Sequence, residues 1–487
     1  MATRLEGAPQ TEQAQGSGLQ ELAKRHLWMH FTRMGAYEDH ELPIIVRGEG
    51  CYVWDENGKK YLDGLSALFC VNAGHGRAEL GEAAARQAKE LGFYTNWTFA
   101  HPLAIELAAR IANLAPGDLN RVFFTSGGSE AVESAIKLSR QYHKVRGEAG
   151  RYKIIARDTA YHGTTLGALI ATGIGSIRSM FEPLPVGSAH VANTNSYRNP
   201  EWLDPAEEIA KRIEFEGPDT VAAVILEPVQ NSGGCFMPPE GYFQRVREIC
   251  DEYGVLMISD EVICSWGRLG HYFGCERFGF EPDMITTAKG ITSAYAPMGA
   301  VIASDKVFEP FSTGTKMFTH GLTFGGHPVS AAVAMANLDI FENEDLCGRV
   351  RQHEGEFRAM LDGLKNDLPI VGDVRGAGYF HALELVKDKE TKETFDDEES
   401  EELLRGFLSG ELYKRGLICR ADDRGDPVIQ LSPPLVAGPE QFAEIEAVLR
   451  PVLTEAWERM VSPGAKHQPP PTVHEHLSQE IPHRDPN

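Results

Sequence analysis

The feature that most constrains the fold is an alternation of amphipathic helical segments with short strands that are apolar on both faces. Such strands, joined by helices, are typical of a mostly parallel sheet covered by helices on both sides, with ligands beyond the carboxyl ends of the strands. The sequence therefore predicts an α/β fold with its site at that edge. The predicted helices are roughly 79–91, 102–114, 129–145, 240–253 and 328–341, and the predicted strands are Val122–Phe124, Lys153–Ala156, Val221–Leu226, Val255–Ser259 and Met284–Thr287.

Both ends of the chain differ from this alternating pattern, which we assign to a large domain over residues 76–341. Residues 1–19 are polar and residues 462–487 are rich in proline and histidine, so we predict a disordered tail at each end. More charged helices and shorter strands predict a smaller α+β domain over 342–461. We expect the segment 20–75 to join this smaller domain.

Charge and cysteine content exclude several classes of function. The chain has 47 basic and 70 acidic side chains, and the net charge of −23 disfavours binding to nucleic acid or to an anionic membrane, because both need a basic surface. The eight cysteines form no C-x-x-C pair and no zinc-type cluster, which predicts reduced thiols and no metal. We find no signal sequence and no apolar run of about 18 residues, so we expect a cytoplasmic protein without a membrane span.

Two segments that follow predicted strands carry groups able to hold an anion or a cation. Gly127-Gly128-Ser129 opens a predicted helix, where free N–H groups and the helix dipole favour a phosphate. An ordinary capped turn is the alternative. Asp260 ends an apolar strand, where it can hold a protonated ring nitrogen, although a helix cap or a solvated acid is the commoner role of a single Asp.

Two further segments carry a lysine and an aromatic ring. Lys289 follows the next strand, and a desolvated lysine is a good Schiff-base former because its pKa falls. A surface lysine is the alternative. Tyr161 follows the strand at 153–156 and can stack on a planar cofactor, or it can pack in the core or at a dimer contact. A phosphate site, a strand-end acid, a strand-end lysine and an aromatic ring together predict pyridoxal phosphate. The absence of G-x-G-x-x-G and Walker motifs disfavours a nucleotide.

At this level of detail the chain resembles the class III (omega) aminotransferases of fold type I, over roughly residues 20–460. The resemblance implies a large domain with a mostly parallel seven-stranded sheet covered by helices, a smaller α+β domain built from both chain ends, and a homodimer or tetramer with sites at the subunit interface. The motifs that carry it are Asp63-Gly64, Cys70-Val71-Asn72, Gly128-Ser129-Glu130-Ala131, Tyr161-His162-Gly163, Glu227-Pro228-Val229-Gln230, Asp260-Glu261-Val262, Lys289-Gly290 and the run from His320 to Pro328.

The resemblance also implies a role for each matching residue. Lys289 would form the Schiff base with pyridoxal 5'-phosphate and move the proton, and Asp260 would pair with the ring nitrogen. Tyr161 would stack on the ring, with Val262 on its other face. The other cofactor contacts implied are Gly128 and Ser129 at the phosphate, Thr323 at the phosphate of the neighbouring subunit, and His162 and Glu227.

Departures within the family bear on the substrate. Ornithine- and GABA-type members carry a Glu–Arg pair where this chain has Ser232 and Gln430. Arg420, followed by the polar loop 421–426, resembles the mobile arginine of pyruvate-using omega-transaminases, which would bind the α-carboxylate of pyruvate or alanine. A surface arginine in a mobile loop is the alternative.

Aromatic residues are expected to wall the rest of the pocket. Phe69, Tyr161 and Trp97, the last from the partner chain, would suit apolar amines or ω-amino acids. Core packing is the alternative for Phe69 and Trp97. The N-terminal stretch His26 to Thr32 resembles a family motif without its His-Pro, which weakens a diaminopelargonate-synthase reading without excluding it.

The sequence therefore predicts a transaminase that moves an amino group from an ω-amino acid such as beta-alanine, or from a primary amine, to pyruvate by a ping-pong route. Its partners would be a small-molecule amine donor and a keto-acid acceptor. Three alternatives stay open: diaminopelargonate synthase, an aminomutase or decarboxylase with the same cofactor, and a non-catalytic protein that retains the fold.

Overall fold

The computed structural model describes residues 17–38 and 40–460, so the predicted tail 462–487 and the first 16 residues of the predicted tail 1–19 lie outside the described residues. The strands are β1 (Ile45–Glu49), β2 (Tyr52–Asp55), β3 (Lys60–Asp63), β4 (Arg121–Thr125), β5 (Lys153–Arg157), β6 (Ser188–Val191), β7 (Val221–Leu226), β8 (Leu256–Asp260), β9 (Met284–Thr287), β10 (Gly299–Ala303), β11 (Val371–Ala377), β12 (Phe380–Leu385), β13 (Leu417–Ile418), β14 (Arg420–Asp422) and β15 (Val428–Leu431).

The helices surround these strands, and none in the described part of the chain is long and apolar enough to span a bilayer. They are α1 (Ser17–His26), α2 (Ser66–Phe69), α3 (Ala78–Glu90), α4 (Pro102–Leu114), α5 (Gly128–Val145), α6 (Leu166–Leu169), α7 (Gly175–Ser179), α8 (Pro205–Glu216), α9 (Tyr242–Tyr253), α10 (Gly274–Phe278), α11 (Asp305–Phe308), α12 (Pro328–Asn343), α13 (Leu346–Asp367), α14 (Asp397–Leu403), α15 (Ser409–Lys414) and α16 (Pro439–Met460).

A seven-stranded sheet forms the centre of the molecule, in the order β4-β10-β9-β8-β7-β5-β6. The strands from β9 to β6 in this order run parallel, and β10 is antiparallel to both of its neighbours. All six residues of β7 are buried, because helices cover both faces of the sheet. The predicted α/β class and the mostly parallel sheet are confirmed.

The predicted helices of this region are confirmed as α3, α4, α5, α9 and α12, with bounds within two residues of those predicted. Local sequence explains where they begin. Pro102 and Pro328 stand in the first turns of α4 and α12, where a missing N–H breaks no helical bond. The extended Gly127 precedes α5 and carries no side chain to cap its first N–H groups.

The register of the large sheet brings the carboxyl ends of β8 and β9 together. Asp260, the last residue of β8, lies opposite Thr286 of β9. Lys289 begins a 3-10 turn just after β9, and α5 begins three residues after β4 ends. The strand-end residues singled out from the sequence therefore meet at one edge of the sheet.

Two smaller sheets complete the fold, in the orders β1-β2-β3-β13 and β11-β12-β15-β14. In the first, Leu417 of β13 pairs with Leu62 of β3, so segments from both parts of the chain share a sheet. In the second, Arg420 of β14 lies opposite Gln430 of β15. The boundaries proposed at residues 75, 341 and 461 stay predictions.

Candidate active site

Asp260 is held firmly at the carboxyl end of β8. It is buried, and its Oδ2 lies 2.6 Å from Nδ1 of His162. Its Oδ1 accepts hydrogen bonds from the Thr286 hydroxyl at 3.1 Å and from the Val262 N–H at 3.2 Å. A buried carboxylate needs such partners, because an unsatisfied charge away from water is costly. Asp260 is therefore fixed in one orientation.

His162 orders this carboxylate. Its backbone N–H donates to the Thr172 hydroxyl at 3.0 Å, which fixes the turn that carries the ring. Its Nε2 is buried and has no hydrogen-bond partner among the described residues. The contact with Asp260 makes His162 a positioning residue for that carboxylate.

Lys289 lies close to Asp260, in a strained backbone conformation. Its φ is +48°, in the left-handed region that non-glycine residues rarely adopt and that clusters at functional sites. Its Nζ lies 5.2 Å from the centre of the Phe69 ring. Burial is the largest cause of the lowered pKa of the Lys289 amine, opposed by Cys70 and Asp260. A larger share of neutral amine at neutral pH is what a nucleophilic lysine requires.

Phe69 serves both as a wall of this site and as a core residue. It is 2% exposed, and its ring meets Phe380 edge-on at 5.6 Å. The guanidinium carbon of Arg420 lies 6.0 Å from the centre of the same ring. The aromatic ring thus lies between the two cations and the core, so the two roles expected for Phe69 are compatible.

The N-terminus of α5 forms a small cradle beside this group. A Cβ added at Gly128 would come within 2.8 Å of the Val262 side chain, so only glycine fits there. The Ser129 hydroxyl accepts a hydrogen bond from the Thr164 N–H at 3.1 Å, which ties the cradle to the turn that carries Tyr161. The helix is 18 residues long and has no side-chain cap at Gly127, and the N–H groups of such a helix start favour an anion.

Tyr161 is braced by Glu227. The Tyr161 N–H donates to Glu227 Oε1 at 3.4 Å, and the Asn231 N–H donates to Oε2 at 3.0 Å. Burial raises the pKa of the Glu227 carboxyl, opposed mainly by His162. Glu227 therefore joins the turn after β5 to the turn after β7, and the Tyr161 ring is positioned through it.

Arg420 is not the surface arginine of a mobile loop, so that alternative is wrong. It is 2% exposed and lies within β14, because its strand pairs with β15 inside the smaller sheet. Its Nη2 lies 3.5 Å from Asp422 Oδ1, and its Nε has no hydrogen-bond partner among the described residues. Arg420 therefore brings a buried positive charge from the smaller sheet to the Phe69 ring, against which Lys289 also lies.

The residues at this edge fit pyridoxal phosphate. A buried acid suits a protonated ring nitrogen, a desolvated lysine suits its carbonyl carbon, and the glycine cradle at a helix N-terminus suits its phosphate. Among residues 17–38 and 40–460, no group of His, Cys, Asp and Glu side chains is arranged to hold a metal ion.

Comparison with known proteins gives one family. The model of the family "Aminotransferase class-III" matches residues 34–453. The chain belongs to the class III aminotransferases. It is a pyridoxal-phosphate-dependent aminotransferase, so the hypothesis of a non-catalytic protein is set aside.

Relatives and solved structures cover nearly the whole enzyme. A probable aminotransferase of Mycobacterium tuberculosis is 59% identical over 438 residues, which are 88% of this chain and 93% of that protein. The putrescine–pyruvate aminotransferase of Pseudomonas aeruginosa is 39% identical and covers 90% of this chain and 96% of its own. An (S)-enantioselective omega-transaminase from Thermomicrobium roseum superimposes with a TM-score of 0.85 at 39% identity, over 90% of this chain and 98% of that one.

Two residues expected at the aminotransferase site lie elsewhere within one chain. Trp97 is 57% exposed, and its indole N–H donates to the Leu322 carbonyl at 3.4 Å. Thr323 is exposed next to that carbonyl. Among the described residues, no hydrogen bond or ring contact joins either one to Lys289. Both were assigned to the neighbouring subunit's site, and that assignment stays a prediction.

Sequence reasoning missed one residue at this site, Arg424. Its guanidinium lies 5.6 Å from the centre of the Tyr161 ring, and its Nη1 is 3.3 Å from the Ser232 hydroxyl. A signal was available: Arg420 and Arg424 flank two acidic residues in a short stretch. The polar composition of residues 421–426, taken alone, favours a solvated loop.

Proposed function

We propose that this class III aminotransferase moves an amino group from an ω-amino acid, such as beta-alanine, or from a primary amine to pyruvate. The observation that carries the proposal is the buried Arg420 beside Lys289, together with Ser232 and Gln430 where ornithine- and GABA-type members have an ion pair. Two relatives support the acceptor. They are named putrescine–pyruvate and beta-alanine–pyruvate aminotransferase, and they are 39% and 36% identical to this chain.

The mechanism divides the work among the residues at the sheet edge. When bound, pyridoxal phosphate supplies a carbon for amine addition and a ring that withdraws electrons from the substrate carbon. Lys289 Nζ would take the proton from the substrate carbon that carries the amine, hold it, and return it to complete the half-reaction. Its lowered pKa favours the neutral form that this step needs. Asp260 keeps a proton on the ring nitrogen, and His162 holds Asp260 in place.

The substrate side of the mechanism rests on Arg420. A guanidinium can bind a carboxylate through two parallel hydrogen bonds, and burial strengthens the interaction. Arg420 holds the carboxylate of pyruvate or alanine next to the reacting carbon, and the Phe69 ring bounds the site on the same side. Donor and acceptor would enter in turn, because the bound cofactor would supply the carrier for the amino group between the two half-reactions.

We also propose a homodimer with sites at the interface. A cavity of about 910 Å³ opens beside Trp97 and Leu322. Large apolar side chains cluster on this exposed surface, and such patches mark interaction sites. Trp97 and Thr323 lie here, which supports the idea that each chain completes its partner's site. The exposed aromatic side chains of this surface include Phe93, Tyr94, Trp97, Phe99 and Phe324.

We also propose a cytoplasmic location, which the eight free cysteines support.

Replacement of Arg420 by alanine tests the proposed acceptor. We expect Arg420→Ala to lower kcat/KM for pyruvate by about 10- to 100-fold, the range for losing a charged hydrogen-bonding partner, and to affect a donor without an acid group, such as 1-phenylethylamine, much less. Steady-state kinetics with each substrate varied in turn would measure both values. Equal losses would remove Arg420 from carboxylate binding. Failure of the native enzyme to form alanine from pyruvate with any amine donor would contradict the proposed function.

A further inference from the structure

A second arginine stands at the site, on the loop between β14 and β15. The Arg424 side chain is only 3% exposed. Its guanidinium lies against the Tyr161 ring, and its Nη1 is 3.3 Å from the Ser232 hydroxyl. Its Nε lies 3.4 Å from Asp422 Oδ1. A buried cation therefore reaches the position where Ser232 replaces the acidic residue of other family members.

The loop that carries Arg424 is anchored on both sides of it. Before it, Asp423 lies 2.8 Å from Nη1 of Arg405. After it, Asp426 lies 3.2 Å from Arg198, which in turn lies 2.7 Å from the buried Glu384. These ion pairs connect the loop to the rest of the fold one residue before and two residues after Arg424. Arg424 is thus presented by a loop whose two flanks are both paired outside the loop.

The two arginines differ in what surrounds them. Arg420 and Lys289 lie against the same Phe69 ring, at 6.0 and 5.2 Å. Arg424 is linked to Arg420 through Asp422, which is within 3.5 Å of both, but lies against Tyr161 and Ser232. The site therefore holds one cation beside the reacting lysine and one on a different wall.

The chemistry of the two half-reactions calls for cations at different places. In a 2-keto acid the carboxylate is bonded directly to the reacting carbon. In an ω-amino acid, further carbons separate the acid group from the carbon that carries the amine, so a second cation is needed farther along the substrate. A guanidinium suits that task, because its planar set of donors matches a carboxylate or a sulfonate.

We propose that Arg424 binds the terminal acid group of an ω-amino acid donor, while Arg420 binds the carboxylate of the keto-acid acceptor. This inference rests on the proposed function and narrows its donor to acids of the ω-amino class. The competing role for Arg424 is to hold the Tyr161 ring by a cation–π contact. If Arg424 had that role, its replacement would lower kcat/KM equally for every substrate.

The test compares two donors that differ only in the acid group, 4-aminobutyrate and butylamine. The holoenzyme and the variants Arg424→Gln and Arg424→Lys are mixed with each donor without any keto acid, and the loss of the visible absorbance of the bound cofactor is followed. We expect Arg424→Gln to lower kcat/KM for 4-aminobutyrate by about 10- to 100-fold and to change the value for butylamine by less than about twofold. Arg424→Lys should recover part of the loss.

The outcomes separate the alternatives. Equal losses for both donors, or a changed cofactor spectrum before donor is added, would overturn the proposal in favour of positioning Tyr161. No loss with 4-aminobutyrate would overturn it as well. If the native enzyme reacts with butylamine but not with 4-aminobutyrate, only the role of Arg424 fails. If it reacts with neither donor, or if pyruvate does not restore the absorbance, the proposed function fails too. A melting curve of each variant checks that it is folded.

Discussion

The two sides of the site are built in different ways. On the cofactor wall, formed by His162, Asp260, Thr286 and Lys289, both oxygens of Asp260 have hydrogen-bond partners at 2.6 to 3.2 Å. On the substrate wall, formed by Arg420, Asp422 and Arg424, Asp422 lies 3.4 to 3.5 Å from the two arginines, and neither of its oxygens has a hydrogen-bond partner within the described residues. The carboxylate of the cofactor wall is therefore hydrogen-bonded at both oxygens, whereas the carboxylate of the substrate wall has only the longer contacts with its two arginines.

We assign the reaction to the cofactor wall and the choice of substrate to the substrate wall. Burial raises the pKa of the Asp422 carboxyl, and the Arg420 charge opposes that rise only in part. A buried carboxylate without close hydrogen bonds reduces stability, and perturbed groups of this kind cluster at functional sites. The cofactor wall fits a group common to the whole family, whereas the substrate wall is where we propose that the acid or amine is selected.

The largest effect should come from breaking the cofactor wall at Lys289. We expect Lys289→Ala to abolish turnover and the visible absorbance of the lysine-bound cofactor, because no other amine would lie in its place. Absorbance spectra and alanine formation from pyruvate would measure both. The matched control is Lys211→Ala, an exposed lysine of α8 that should leave both unchanged. Full activity of Lys289→Ala would contradict the mechanism.

A smaller effect should follow from removing only the negative charge of Asp260 on the same wall. Asp260→Asn keeps the shape of the side chain but loses the negative charge that holds a proton on the ring nitrogen. We expect kcat to fall by about 10²- to 10³-fold, which is typical of losing one preorganised electrostatic partner, with the cofactor still bound. Single-turnover kinetics would measure it. The exposed Asp339→Asn serves as the control, and an unchanged kcat in Asp260→Asn would remove Asp260 from the reaction.

The smallest effect should come from removing an ion pair that supports the substrate wall but is not part of it. Asp426→Asn breaks the ion pair with Arg198. Both side chains of that pair are about a quarter exposed. Because partly exposed ion pairs contribute little, we expect kcat/KM for substrates with an acid group to fall by at most about fivefold, with amines that lack an acid group unaffected. Comparison of 4-aminobutyrate with butylamine would measure it. A loss as large as that of Asp260→Asn would mean that the two walls are not independent.

The cofactor wall could be predicted because its residues follow strands whose pattern is local. Asp260 and Lys289 each end a run of apolar residues, and parallel strands bring such ends together whatever the details of packing. The substrate wall was predicted only in part. Arg420 was found through its motif, but its burial in β14 depends on pairing with Gln430 in another strand. The place of Arg424 depends on the ion pairs that Asp423 and Asp426 make with Arg405 and Arg198, both outside the loop.

By itself, the sequence determined the α/β class, the order of the main helices and strands, and the residues that meet at the edge of the large sheet. These follow from hydrophobic periodicity and from motifs, which are local in the chain. The tertiary structure alone decided that Arg420 is buried, that His162 and Glu227 act as braces, and that Arg424 faces Tyr161. Those features arise from contacts between distant segments, and a charged residue in a polar loop reads the same in sequence whether it is solvated or folded inward.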